Sequence, residues 1–167
     1  MGLMKAAQIA PDAILLPANF DAYRDYSRRF KAAVAQIAPL IEDRGIDEIY
    51  IDLGHHHDES NVLARRIKQA VFDVCGLTCS IGISPNKMLS KICSDLDKPD
   101  GITILAKEEI PNRIWPLAAK KINGIGPKAS QKLSRLGIYT IGELAATPLA
   151  VLVHEFGRTN GPWLHEV

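Results

Sequence analysis

The strongest constraint on the fold of this chain is a change of pattern near Pro116. Up to Leu105 the apolar residues switch between a period of two and a period of three to four, so short strands alternate with helices. After Pro116 only helical spacing survives, in short pieces punctuated by Gly and Pro. The order β, α, β, β, α, β, α, β followed by helices alone implies an α+β fold, a mixed sheet with helices and then a small all-α unit. The change falls within residues 106–116, giving working bounds of 1–108 and 109–167.

The first part can be placed element by element. Residues 4–9 read as the tail of a helix and Ala13 to Pro17 as a short buried strand. Phe20, Tyr23, Phe30, Val34 and Ile37 share one helical face, which Pro39 ends. Two strands, Leu40 to Asp43 and Ile46 to Leu53, turn at Arg44-Gly45, with Ile49, Ile51 and Leu53 on one side. Ser60 is placed to cap a helix whose core face is Leu63, Ile67, Val71 and Val74, stopped by Gly76. A strand from Thr78 to Ile83 leads into a helix begun by Ser84-Pro85, buried through Met88, Leu89, Ile92 and Leu96. Lys98 to Gly101 forms a turn, Ile102 to Leu105 a strand, and Lys107 to Trp115 a connecting helix.

A net charge of +1 over 167 residues does not by itself mark a nucleic-acid binder, but the charges are segregated. Acids gather at Glu42, Asp43, Asp47, Glu48 and Asp52. Cations gather at Lys87, Lys91 and Lys98 and again from Lys120 to Arg135. That arrangement suits a metal site handling a polyanion, and it also suits plain solvated faces. No apolar run approaches the roughly 20 residues that span a bilayer, and no secretory core follows Met1. The expectation is a chain without membrane contact in a reduced, cytoplasmic setting, its three cysteines unpaired.

Two motifs carry chemistry. Asp47-Glu48 opens a strand with adjacent carboxylates, the oxygen donors that hard divalent ions such as Mg²⁺ prefer, although a solvated strand end looks the same. Lys87 and Lys91 lie four apart on one helix face and Lys98 at its exit. The second motif, Ile122-Asn123-Gly124-Ile125-Gly126-Pro127-Lys128, lets the chain turn tightly while Ile125 plugs the core. Its backbone N–H groups at a helix start offer an anion site, with Lys128 and Lys132 adding charge. An ordinary glycine-containing helix turn is the alternative. A looser copy runs from Thr140 to Gly157. The three adjacent histidines, His55 to His57, lack regular metal-ligand spacing and read as a variable loop.

Thr78 to Lys87, Ser90 to Gly101 and Ile46 to Leu53, with the glycine hairpin, resemble Y-family translesion DNA polymerases of the bacterial DinB type over essentially every residue. The resemblance implies a partial palm over 1–108 and a helix-hairpin-helix thumb over 109–167. It implies that Asp47 and Glu48 are catalytic and hold Mg²⁺, two ions serving the complete site. Lys98, Lys91 and Lys87 would then contact nucleotide, and Gly124, Ile125, Gly126 and Lys128 would hold DNA phosphates. Primer-template DNA and dNTP are the implied partners, and a sliding clamp would bind the complete family protein through a region these residues do not match. The family pattern has Ser where Gly45 stands. A first strand with another metal-binding Asp, the fingers and the little finger are expected outside residues 1–167, so the isolated chain is expected to polymerise poorly or not at all. The other readings are a non-catalytic DNA-binding repair module and a metabolic phosphotransferase, and the latter leaves the hairpin unexplained.

Overall fold

The structure, a computed structural model, describes residues 1–54 and 59–167; the His55 to His57 loop lies outside the described residues. Helix α1 (Leu3–Ile9) buries nothing, and the chain beyond it to Asn19 is irregular. The expected strand at 13–17 does not form. Ile14, Leu15 and Leu16 stand 87%, 70% and 77% exposed, because no neighbouring strand takes up their backbone groups among the described residues. Helix α2 (Phe20–Ala35) starts where the Asn19 side chain accepts from Ala22 N–H. Only its second half packs: Val34 is buried and Phe30 and Ile37 lean on the same cluster, whereas Phe20 and Tyr23 are exposed and stack edge-to-face on each other.

Strands β1 (Ile41–Asp43) and β2 (Ile49–Ile51) form an antiparallel hairpin with Ile41 opposite Ile51 and Glu42 opposite Tyr50. The turn between them is longer than Arg44-Gly45 alone: Arg44 N–H donates to Glu48 O, and Gly45 takes a φ of 137° that side chains disfavour. Asp47 and Glu48 therefore sit in the turn, just before the strand. Ile41, Ile49, Ile51 and Leu53 pack down onto Val34, Leu63, Ile67 and Val71, as period-two alternation requires. Helix α3 (Ser60–Cys75) supplies Leu63, Ile67 and Val71; Val74 is exposed, and Ser60 is the first helical residue, with Glu59 in the cap position. Gly76, at φ 65°, closes it as expected.

β3 (Ile81–Ile83) and β4 (Ile102–Ile104) form a second, parallel pair, joined by helix α4 (Lys87–Leu96). The cap of α4 is Asn86, whose side chain accepts from Leu89 N–H; Ser84 instead bonds to Asn86 O and Ser90 Oγ. α4 lies flush on β3 because Gly82 has no side chain: a Cβ there would come within 2.1 Å of Ser90 O and 2.4 Å of Ser94 N. Leu89, Ile92 and Cys93 are buried, whereas Leu96 is 38% exposed.

The chain then becomes all helical, as the sequence implies. The expected helix at 107–115 divides into a 3₁₀ turn (Lys107–Glu109) and a one-turn α5 (Ile110–Arg113). A 3₁₀ turn (Ala119–Lys121), α6 (Pro127–Arg135), α7 (Ile141–Ala145) and α8 (Leu149–Glu166, broken at Gly157) follow. Thr140 and Glu143 close a reciprocal capping box on α7. The larger apolar cluster is continuous from Leu89, Ile92, Cys93 and Leu105 through Ile114, Ile122, Leu133, Leu144, Leu152 and Leu164. The smaller cluster, under the β1–β2 hairpin, is separate.

Candidate active cleft and nucleic-acid grip

The two-sheet arrangement leaves a cleft of about 960 Å³ lined by β1, β2, β3 and the start of α4. Asp47, Glu48, Lys87, Lys91 and Lys98 all line it, so the acidic turn and the basic helix share one space. The face of the hairpin turned away from the apolar helices presents Glu42, Glu48 and Tyr50, by alternation from the packed Ile41, Ile49 and Ile51. α4 presents its lysines to that face. Lys91 Nζ donates to Glu48 Oε1 at 2.5 Å and lies 3.9 Å from Asp95. Lys87 pairs with Glu42 and sits 5.9 Å from the Tyr50 ring centre. Lys98 Nζ is 2.5 Å from Asp95.

These pairs set the protonation of the cleft. The Glu48 hydrogen bond holds the Lys91 ammonium above its ordinary pKa, against partial burial and with help from Asp95 and Tyr50. Lys87 draws the Glu42 carboxyl below its ordinary range. At Asp95 burial pushes the pKa up, but the Lys98 hydrogen bond and the charges of Lys91, Lys98 and Lys121 outweigh it. All three groups are thus held charged near neutrality. Asp52 also lines the cleft, and its Oδ1 accepts from Gly54 N–H at 2.8 Å.

Whether these residues suit a divalent ion depends on their donors. Among the described residues no group of three or more His, Cys, Asp or Glu converges as a metal cage. Mg²⁺ does not demand one, because it is commonly held by one or two carboxylates with water and substrate phosphates completing the octahedron. Asp47 and Glu48, both exposed in the cleft, match that partial donor set.

The glycine hairpin lies elsewhere on the chain. Ile122 and Ile125 are buried, while Gly124, Gly126 and Lys128 are exposed. Ile125 N–H donates to Ile122 O, and Gly126 precedes Pro127, the first residue of α6. Gly124 is required twice over, by a φ of 102° and by the Trp163 ring, which a Cβ would meet at 2.7 Å. Lys132 does not add free charge: its ammonium bonds to Glu155 O, lies 3.6 Å from the Glu155 carboxylate and sits over the Phe156 ring.

The sequence reading put Glu42 in the acidic group without its Lys87 partner, and it missed Tyr50 in the cleft, Asp95 beside the cleft lysines and Trp163 under the glycine hairpin. Asp95 carried a usable signal, four residues after Lys91 and three before Lys98 on one helix. Glu42 and Tyr50 become neighbours only once the hairpin register is known, and Trp163 only through tertiary packing.

A mixed α+β chain with such a carboxylate–lysine cleft can be compared with known proteins. The impB/mucB/samB family pattern matches residues 1–95, and the chain belongs to that family. It is 36% identical over 169 residues to DNA polymerase IV of Moorella thermoacetica, covering 99% of this chain and 42% of the relative. It is 42% identical over 166 residues to DNA polymerase IV 1 of Bacillus subtilis, covering 98% and 40%. Among solved structures, a DinB family error prone DNA polymerase from Sulfolobus solfataricus superposes with a TM-score of 0.89 at 32% identity, over 98% of this chain and 50% of that one. An insertion ternary complex of Dbh DNA polymerase gives 0.86 at 32% identity, over 98% and 49%. The chain thus spans less than half the length of the curated relatives described. No helix among the described residues is long and apolar enough to cross a membrane.

Proposed function

We propose that this chain carries part of the nucleotidyl-transfer centre and the DNA grip of a translesion DNA polymerase acting in DNA repair. The observation that supports it most is the shared cleft: Asp47 and Glu48 face Lys87, Lys91 and Lys98 across one space. In this reading Asp47 and Glu48 would hold Mg²⁺, which when bound stabilises the attacking and leaving oxygens of phosphoryl transfer. The lysines would bind the triphosphate. Each ammonium is now matched to a carboxylate, Lys91 to Glu48 and Lys98 to Asp95. A polyphosphate entering the cleft exchanges those partners for stronger anionic ones and frees Glu48 as a donor. Residues 1–108 would be palm and 109–167 a helix-hairpin-helix thumb. The exposed turn at Gly124, Ile125, Gly126 and Lys128 would hold primer-template phosphates without reading bases.

Since no group of three or more His, Cys, Asp or Glu among the described residues converges as a metal cage, the chain by itself is expected to extend a primer weakly or not at all. The test is primer extension with dNTPs and Mg²⁺, run beside the complete Bacillus subtilis relative. Extension by the full relative that is lost on replacing the residues equivalent to Asp47 and Glu48 supports the reading. Extension by the relative that survives those replacements sinks it.

A further inference from the structure

The turn from Asp97 to Gly101 brings Lys98 into the lining of the cleft. Its two ends are drawn together, since a Cβ on Gly101 would stand 1.8 Å from Asp97 O. Its exit is tied to β3: Gly101 O accepts from Ile81 N–H at 3.0 Å, and Gly101 N–H donates to Ser80 Oγ at 3.3 Å. Between those ties, Lys98, Pro99 and Asp100 make no backbone–backbone hydrogen bond among the described residues. Asp100 also takes a φ of 58°, a left-handed conformation that residues other than Gly, Asn and Asp rarely visit. A stretch of this kind keeps one shape only where its surroundings impose it.

What imposes it here comes from α3. Lys68 Nζ donates to Asp100 O at 2.7 Å, to the Asp100 carboxylate, and to Cys79 O at 2.6 Å. An ammonium carries three protons, and each of these finds an acceptor on the turn or beside β3. The Lys68 side chain is only 18% exposed, so its charge must be met inside the protein, which the Asp100 carboxylate does. Ile67 and Val71, the neighbours of Lys68 along α3, are buried and fix the base of its side chain. Lys68 does not line the cleft and has no proton left for a ligand. Its bonds serve instead to hold the turn against the residue that precedes β3. We propose that Lys68 is the positioning residue for Lys98: it clamps the turn at Asp100, and the clamped turn aims the Lys98 ammonium at a polyphosphate in the cleft. This rests on the triphosphate reading of the cleft given above. Without the clamp the middle of the turn samples several conformers, and an incoming polyphosphate must order it as it binds.

The test is isothermal titration of inorganic tripolyphosphate with Mg²⁺ into the full chain and its variants. Lys68→Met is expected to weaken binding about tenfold, the scale of one lost hydrogen bond to a charged group. Asp100→Asn keeps an acceptor oxygen and tolerates the positive φ, so it should retain most of the affinity. Should Lys68→Met fail to fold by circular dichroism, Asp100→Gly carries the same prediction, because glycine accepts that φ freely and α3 is left intact. Binding of a primer-template duplex, measured on the same variants, should not change, since the glycine hairpin lies elsewhere on the chain. Tripolyphosphate affinity that is lost in Lys98→Met but kept in both Lys68→Met and Asp100→Gly overturns the clamp and leaves the cleft reading standing. An unmodified chain without affinity, or a Lys98→Met variant with full affinity, overturns the cleft reading and the clamp with it. Parallel loss of tripolyphosphate and duplex binding would show Lys68 to be a general support of the fold and overturns the clamp as well.

Discussion

The cleft and the glycine hairpin are both candidate contacts for a polyanion, yet they are built in opposite ways. The hairpin is local: within seven residues, two buried isoleucines and two exposed glycines fix a turn and present backbone. The cleft is assembled from afar, since Lys91 meets Glu48 across 43 positions and Lys87 meets Glu42 across 45. The hairpin's backbone geometry is set by packing, so it is ready before any ligand arrives. The cleft is held by exposed ion pairs, which exchange partners at little cost. One is a fixed socket and the other a set of replaceable charges.

That contrast can be broken most directly at Gly124. Gly124→Ala forces a side chain into a φ of 102° and against Trp163, and should cost about 2–3 kcal/mol, measured as a lowered urea midpoint. An unchanged midpoint would mean that the socket is softer than its geometry. A smaller effect is expected on DNA. Lys128→Ala should weaken binding of a primer-template duplex and reduce the salt dependence by about one counterion, followed by fluorescence anisotropy, whereas Asp47→Ala should leave affinity unchanged. If Asp47→Ala weakened binding as much, cleft and hairpin would not be separable functions.

In the cleft, Lys91→Met removes the partner of Glu48 and should cost under about 1 kcal/mol of stability. The freed carboxylate should bind Mn²⁺ more tightly, read by electron paramagnetic resonance; weaker binding would show that Lys91 positions Glu48 rather than competing for it. The smallest effect is in acid. Glu42, lowered by its Lys87 hydrogen bond, and Asp43, lowered by Lys31 and then by Gly45 N–H, both stabilise the fold above their ordinary values of 4.5 and 3.8. That contribution is lost as pH falls below those values. The melting temperature should therefore drop between about pH 5 and about pH 2, less steeply in Lys31→Met. Lys91 behaves conversely, its contribution holding below 10.5 and fading as pH climbs through its raised value.

Much of the fold was legible in the sequence, because helix faces, Gly76 and the hairpin follow from spacing alone. What failed did so for identifiable reasons. The segment 13–17 has strand composition, but a strand needs a neighbour, and composition cannot supply one. Phe20 and Tyr23 keep helical period with Val34, yet they extend past the elements that could cover them. Ser60 and Ser84 were plausible caps beside better-placed neighbours, and the cap is decided by backbone geometry at a single residue. In the candidate site the carboxylates and lysines were visible as residue types, whereas their pairing depended on a hairpin register and a crossover helix that no local window contains.

Gly82 sets a tolerance for that pairing. With a methyl group there, ordinary contact with Ser90 O would require the helix to rise by more than an ångström from its present seat. Lys87 and Lys91 ride on that helix, so a lift at the sheet becomes misalignment at their ammonium groups, much as a shim under one rail tilts whatever travels on it. The alignment of charge in this molecule is thus gauged by a missing carbon atom at a position that carries no charge.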